Sequence, residues 1–142
     1  MKKEKRLLTE ADKERIKEIL KKELSWRDEI IFAYLHGSFT LPAPCGDVDV
    51  AIYLDESALS HKHWIYESDL AMSLDRLVGL PVDVLTLNSA PLSLRYHATA
   101  GTLLCSKDEK ARFDFLERTW REYFDYQPYI KAFYEDLISE PK

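Results

Sequence analysis

The residues best equipped for chemistry are His36-Gly37-Ser38, then Asp47-Val48-Asp49 after an eight-residue spacer, then Asp83 within Pro81-Val82-Asp83-Val84-Leu85. Each group sits in or beside an apolar, β-branched run. Two carboxylates two residues apart on a strand point to the same side of a sheet. Held that close, two anions repel, and crowding makes this worse. A cation between them removes the penalty. With a third Asp on a second strand and a Gly-Ser turn nearby, the pattern predicts a divalent-metal and nucleotide-phosphate site.

Moving a nucleotidyl group from a triphosphate develops charge on the attacking oxygen and on the pyrophosphate. Two divalent ions roughly 3.5–4 Å apart stabilise both ends of such a displacement. Mg²⁺ prefers a few carboxylates plus phosphates and waters to an all-protein cage. Asp47 and Asp49 are expected to bridge the ions. Asp83 is expected to complete the site nearest the acceptor and to help deprotonate its hydroxyl. Gly37 allows φ > 0 or a close backbone approach, and Ser38 offers a hydroxyl and turn amides for phosphate oxygens.

The elements that must position these residues follow from periodicity. Thr9 reads as the N-cap of a first helix with Ile16, Ile19, Leu20 and Leu24 on its apolar side and a solvated Lys/Glu face. Residues 30–35 form a continuous apolar run, a buried strand ending at Gly37-Ser38. Pro42 and Pro44 bar a long helix from the following loop. Residues 47–54 alternate, with Val48, Val50 and Ile52 on one face and Asp47, Asp49 and Ala51 on the other. Ile65, Leu70, Leu74, Leu77 and Val78 mark a second helix closed by Gly79. Residues 82–87 read as a strand, 89–100 as a short helix and 102–105 as a short strand. Phe113, Leu116, Trp120 and Tyr123 form one helical stripe, and Ile130, Phe133, Tyr134 and Leu137 form another after Pro128. The predicted order is α-β-β-α-β-α-β-α-α, one α/β domain over residues 1–142 with a small mixed sheet flanked by helices and a helical C-terminus.

Composition narrows the function. The chain has 142 residues, 46% of them hydrophobic, and a net charge of −5. The acidic balance argues against direct nucleic-acid binding, which needs a basic face. No run is long enough to span a membrane and no signal core follows Met1-Lys2-Lys3, so a cytoplasmic protein is expected. Cys45 and Cys105 lack metal or redox spacing and read as reduced thiols. His36 reads as a polar strand-end residue, and His61, His63 and His97 as surface residues, since i and i+2 on a helix do not face each other. Asp47 taken alone is a turn residue. Asp49 and Asp83 are harder to explain structurally, because a mid-strand Asp is disfavoured without a purpose. The aromatics from Tyr123 to Tyr134 suit helix packing or a protein interface equally well.

Gly37-Ser38, Asp47-Val48-Asp49 and Asp83 resemble the nucleotidyltransferase superfamily typified by DNA polymerase β. Pro91-Leu92-Ser93-Leu94-Arg95, Ala100-Gly101-Thr102-Leu103-Leu104 and Arg121-Glu122-Tyr123-Phe124-Asp125-Tyr126 extend the likeness. The chain is similar to minimal nucleotidyltransferase (MNT) domains, particularly the MNT antitoxin of HEPN–MNT toxin–antitoxin pairs. The resemblance implies an adenylyltransferase that moves AMP from ATP, with Mg²⁺, to a tyrosine of a HEPN ribonuclease toxin. It implies metal ligation by Asp47, Asp49 and Asp83, nucleotide binding by Gly37 and Ser38, and a homo- or hetero-oligomer. The chain lacks the Arg-x(4–6)-His spacing of the HEPN ribonuclease itself. It departs from the family pattern after Ser38, where Phe39-Thr40-Leu41-Pro42 replaces a small residue and arginines, removing candidate phosphate contacts. Arg76 and Arg95 are candidate substitutes. Two other functions fit the same residues: an antitoxin acting by contact alone, and a small-molecule (antibiotic) nucleotidyltransferase.

Overall fold

A computed structural model describes residues 8–40, 46–58 and 63–138. The elements run α1 (Glu10–Ser25), β1 (Ile30–His36), a 3-10 turn (Gly37–Thr40), β2 (Val48–Leu54), α2 (His63–Val78), β3 (Val82–Thr86), α3 (Leu92–Thr99), β4 (Thr102–Ser106) and α4 (Glu109–Ile138). The strands form one four-stranded sheet in the order β3-β2-β1-β4. It is mixed as expected: β1 runs antiparallel to β2 and β4, and β2 runs parallel to β3. Among the described residues no helix is long and apolar enough to cross a membrane.

Strand alternation sends neighbouring residues to opposite faces. Val48, Val50, Ile52 and Leu54 of β2 join Leu35, Val82 and Leu104 in a mostly aliphatic core. Ile16, Leu20 and Leu24 of α1 and Leu70, Leu74 and Val78 of α2 close that face. Ala51 and Tyr53 point the other way, into a smaller cluster with Phe32, Tyr34, Leu87, Ala98 and Phe115 under α3 and α4. Phe32 stacks on Tyr53 with ring centroids 4.8 Å apart.

The second face changes chemistry rung by rung. Phe32 pairs with Tyr53, then Tyr34 with Ala51 and Ala51 with Leu85. One rung further, His36 pairs with Asp49 and Asp49 with Asp83. A packed aromatic layer therefore gives way to a polar row at one end of the sheet.

The expected N-cap is present: Thr9 Oγ1 accepts from the Asp12 amide, and Asp12 accepts from the Thr9 amide in return. Gly79 closes α2 with φ +77°. Three expectations are corrected. Not every lysine of α1 is solvated: Lys13, three residues before Ile16 and so on the hydrophobic stripe, is buried, with its ammonium 5.7 Å from the Phe39 ring centroid. Its alkyl stem extends the apolar stripe.

The two C-terminal helices are one, since α4 continues through Pro128. Proline removes one backbone donor and crowds the carbonyl four residues back. The described side chains around it are exposed, so water can take the freed Phe124 carbonyl. The buried stripe of α4 runs through Phe115 and Thr119, while Phe113 is 57% exposed and lies under the Arg112 guanidinium. Phe113 and Phe115 sit about 200° apart on a helix, so only one can face the core. On α2, Ile65 and Leu77 are likewise exposed.

Candidate metal and nucleotide site

The polar row is where the three predicted carboxylates meet. Asp47 precedes β2, Asp49 lies one residue inside it, and Asp83 lies one residue inside β3. One carboxylate oxygen from each lies within 4.8 Å of the others. Asp47 and Asp49 are half-buried and Asp83 is exposed, so the cluster opens to solvent on the β3 side. The strand starts are held level by the Val48 amide, which donates to the Pro81 carbonyl at 2.9 Å.

Gly37 explains its own identity. Its φ is +81°, a backbone conformation that costs an L side chain about 1–2 kcal/mol. A Cβ placed there would also overlap the Asp49 carboxylate. The turn expected to approach a phosphate thus first gives Asp49 room to lie against the backbone. Thr40 Oγ1 donates to the Gly37 carbonyl at 2.8 Å and tightens the turn. Ser38 lies on this turn. Phe39 is buried in the aliphatic core, which anchors the turn and accounts for an aromatic after Ser38.

Gly101, between α3 and β4, packs against the Leu35 carbonyl and the His36 side chain too closely for a Cβ. His36 sits beside Asp49, and burial lowers its pKa, so the ring is neutral near neutral pH. Its Nε2 is buried without a hydrogen-bond partner among the described residues. His36 is a strand-end residue as expected, but it also shares a face with Asp49, and its parity with Tyr34 and Phe32 along β1 is the sign of this in the sequence.

The donor set is three hard carboxylates with no sulfur or imidazole ligand, which fits Mg²⁺ and not a soft metal. The Gly37 notch that receives Asp49 is a second sign that the carboxylate is held for use. Other candidates stand apart. Arg95 pairs with Glu122 at 3.3 Å, and Arg76 Nε lies 3.4 Å from the Met72 carbonyl. His63 is half-buried with Nε2 3.4 Å from Glu56, and His97 is exposed. Burial raises the Cys105 pKa, as befits an inert thiol. Leu41, Pro42, Pro44, Cys45 and His61 lie outside the described residues.

No curated protein matches the chain. A crystal structure of the toxin–antitoxin pair MntA–HepT superposes with a TM-score of 0.63 at 20% identity, covering 92% of this chain and 99% of that one. So does a tri-AMPylated Shewanella oneidensis HEPN toxin in complex with MNT antitoxin, with the same TM-score, identity and coverage. A toxin–antitoxin structure with AMP-PNP gives a TM-score of 0.68 at 23% identity, covering 86% and 98%. At these identities the likeness establishes a shared fold. Residues 14–110, well over half of the chain, match the model of the polymerase beta nucleotidyltransferase family, and the chain belongs to that family.

Proposed function

We propose that this protein is a Mg²⁺-dependent adenylyltransferase that silences a HEPN-type ribonuclease toxin by moving AMP from ATP onto a toxin tyrosine. The observation that carries the reading is the alignment of Asp49 with Asp83 across β2 and β3, with Asp47 beside them and carboxylate oxygens within 4.8 Å. Mg²⁺ held there would draw charge from the phosphates and the attacking oxygen. Asp47 and Asp49, with Asp83, are the carboxylates that would hold the cation. Asp83, the exposed member, faces the acceptor and takes the phenolic proton. The tyrosine oxygen then forms a bond to the α-phosphorus as the bond to the β-phosphate oxygen breaks and pyrophosphate leaves. Amides of the Gly37–Thr40 turn would take phosphate oxygens.

The partner is supported by the fold relatives, which include an AMPylated HEPN toxin bound to its MNT antitoxin and a complex with an ATP analogue. It is also supported by exposed rings on the distal part of α4: Phe124, Tyr126, Tyr129 and Phe133 are each at least half exposed. Exposed apolar rings of this kind mark protein-binding surfaces. A cytoplasmic location accords with this role.

A second reading, neutralisation by contact alone, is favoured by Phe39 in the core and by Arg76 and Arg95 being engaged elsewhere. One experiment separates the two. The protein is incubated with a HEPN partner, ATP labelled on the α-phosphate, and Mg²⁺. Transfer predicts label on a partner tyrosine and loss of ribonuclease activity that require Mg²⁺. Inhibition without label supports contact and rejects transfer.

A further inference from the structure

We propose that Asp75 is a positioning residue for this site: it pins the start of β3 and thereby holds Asp83 opposite Asp49. The inference rests on reading the three carboxylates as a cation site.

β3 is an edge strand with β2 on one side. On its other side, outward amides meet α2 in place of a further strand. The Val82 amide donates to Asp75 Oδ1 at 2.5 Å, and the Thr86 amide donates to Glu67 Oε2 at 2.9 Å. The spacings match. Glu67 and Asp75 are two turns apart, about 12 Å along a helix. Val82 and Thr86 are about 13 Å apart along a strand. Two carboxylates on one helix therefore clamp both ends of β3.

The two ends are not equivalent. At the far end, the Asn88 side chain also bonds both the amide and the carbonyl of Leu54, tying the β3 exit to β2. At the near end the Val48 amide bonds the Pro81 carbonyl, but Asp83 also stands beside Asp49, and two anions on adjacent strands push that end apart. The Asp75 bond lies one residue before Asp83, where this push acts. It keeps the third carboxylate in register before a cation arrives. Groups that orient a metal ligand in this way contribute to affinity without touching the ion.

The test compares Asp75→Ala, Asp75→Asn and Glu67→Ala in the full chain. It measures Mn²⁺ affinity by electron paramagnetic resonance, amide exchange by NMR, and Tm. Asp75→Ala should weaken Mn²⁺ binding about tenfold or more and speed exchange at Val82 and Asp83. Asp75→Asn keeps an oxygen acceptor and should restore most of both. Glu67→Ala should free the Thr86 amide and lower Tm while leaving Mn²⁺ affinity as in the unaltered protein. Unchanged Mn²⁺ affinity in Asp75→Ala, or equal losses in both alanine variants, overturns the inference. If the unaltered protein takes up no Mn²⁺, the proposed function fails, and exchange then decides the inference. Protection at Val82 and Asp83 equal to that of the unaltered protein in Asp75→Ala overturns it, and a selective loss there supports it.

Discussion

Val48, Val50, Ile52 and Leu54 of β2 point into an aliphatic core covered by α1 and α2, while Asp49, Ala51 and Tyr53 between them point to the opposite face. On the first face Val48, Val50, Ile52 and Leu54 are all buried, and substitution there should change stability alone. The second face is packed with Phe32, Tyr53 and Phe115 at one end and carries His36, Asp49 and Asp83 at the other. The same seven residues of β2 thus serve both purposes by parity. Rigidity comes from one face, and the other can hold like charges together because its partner layer does not let the strands move.

Breaking the acidic end should have the largest effect. Asp49→Asn should reduce AMP transfer about a thousandfold, equivalent to about 4 kcal/mol in the transition state. Its Tm should stay the same or rise, because anion repulsion is relieved. The label-transfer assay and a thermal melt check both. Leu20→Ala, on the aliphatic face, inverts the pattern. It should destabilise the fold by about 3 kcal/mol in a urea titration and leave transfer per folded molecule unchanged. A large loss of specific activity in this variant would erase the distinction between the faces.

Gly37→Ala joins the two effects at smaller scale. The new Cβ meets the Asp49 carboxylate at φ +81°. The backbone cost is about 1–2 kcal/mol, and displaced Asp49 should weaken Mg²⁺-dependent ATP binding at the same time. The smallest effect is expected at Tyr66, whose hydroxyl donates to Glu29 at 2.6 Å on the stable face. That bond holds the Glu29 pKa below its usual 4.5. The folded state therefore prefers the ionised carboxylate. The contribution is full above pH 4.5 and lost as pH falls through the lower folded value. Tyr66→Phe should cost about 1 kcal/mol near neutral pH, with screening at this partly exposed pair included. It should also flatten the acid limb of the stability profile, and Tm measured from pH 3 to pH 7 gives the slope.

Much of this was legible because it is local. Strand parity places Asp49 and Ala51 on one face, and a Gly before Ser38 at a strand end announces a turn with positive φ. The meeting of Asp47, Asp49 and Asp83 follows once two apolar runs are taken as neighbouring strands. What depends on three-dimensional packing was hidden. Lys13 looks solvated until Phe39 is found beneath it. The choice between Phe113 and Phe115 depends on how α4 rolls on the sheet. Pro128 stops a helix by rule, yet α4 continues where exposure lets water compensate. The bond from Asp75 to Val82 has no sequence signature, since it needs the length match between α2 and an edge strand.

The proposed function makes the acidic row a cation-dependent nucleotide site. Calorimetric titration of ATP into the protein, with Mg²⁺ and with chelator, measured in parallel on Asp49→Asn, tests it most directly. Binding should require Mg²⁺ in the unaltered protein and be lost in Asp49→Asn. Equal ATP affinity in all four conditions would contradict the proposal.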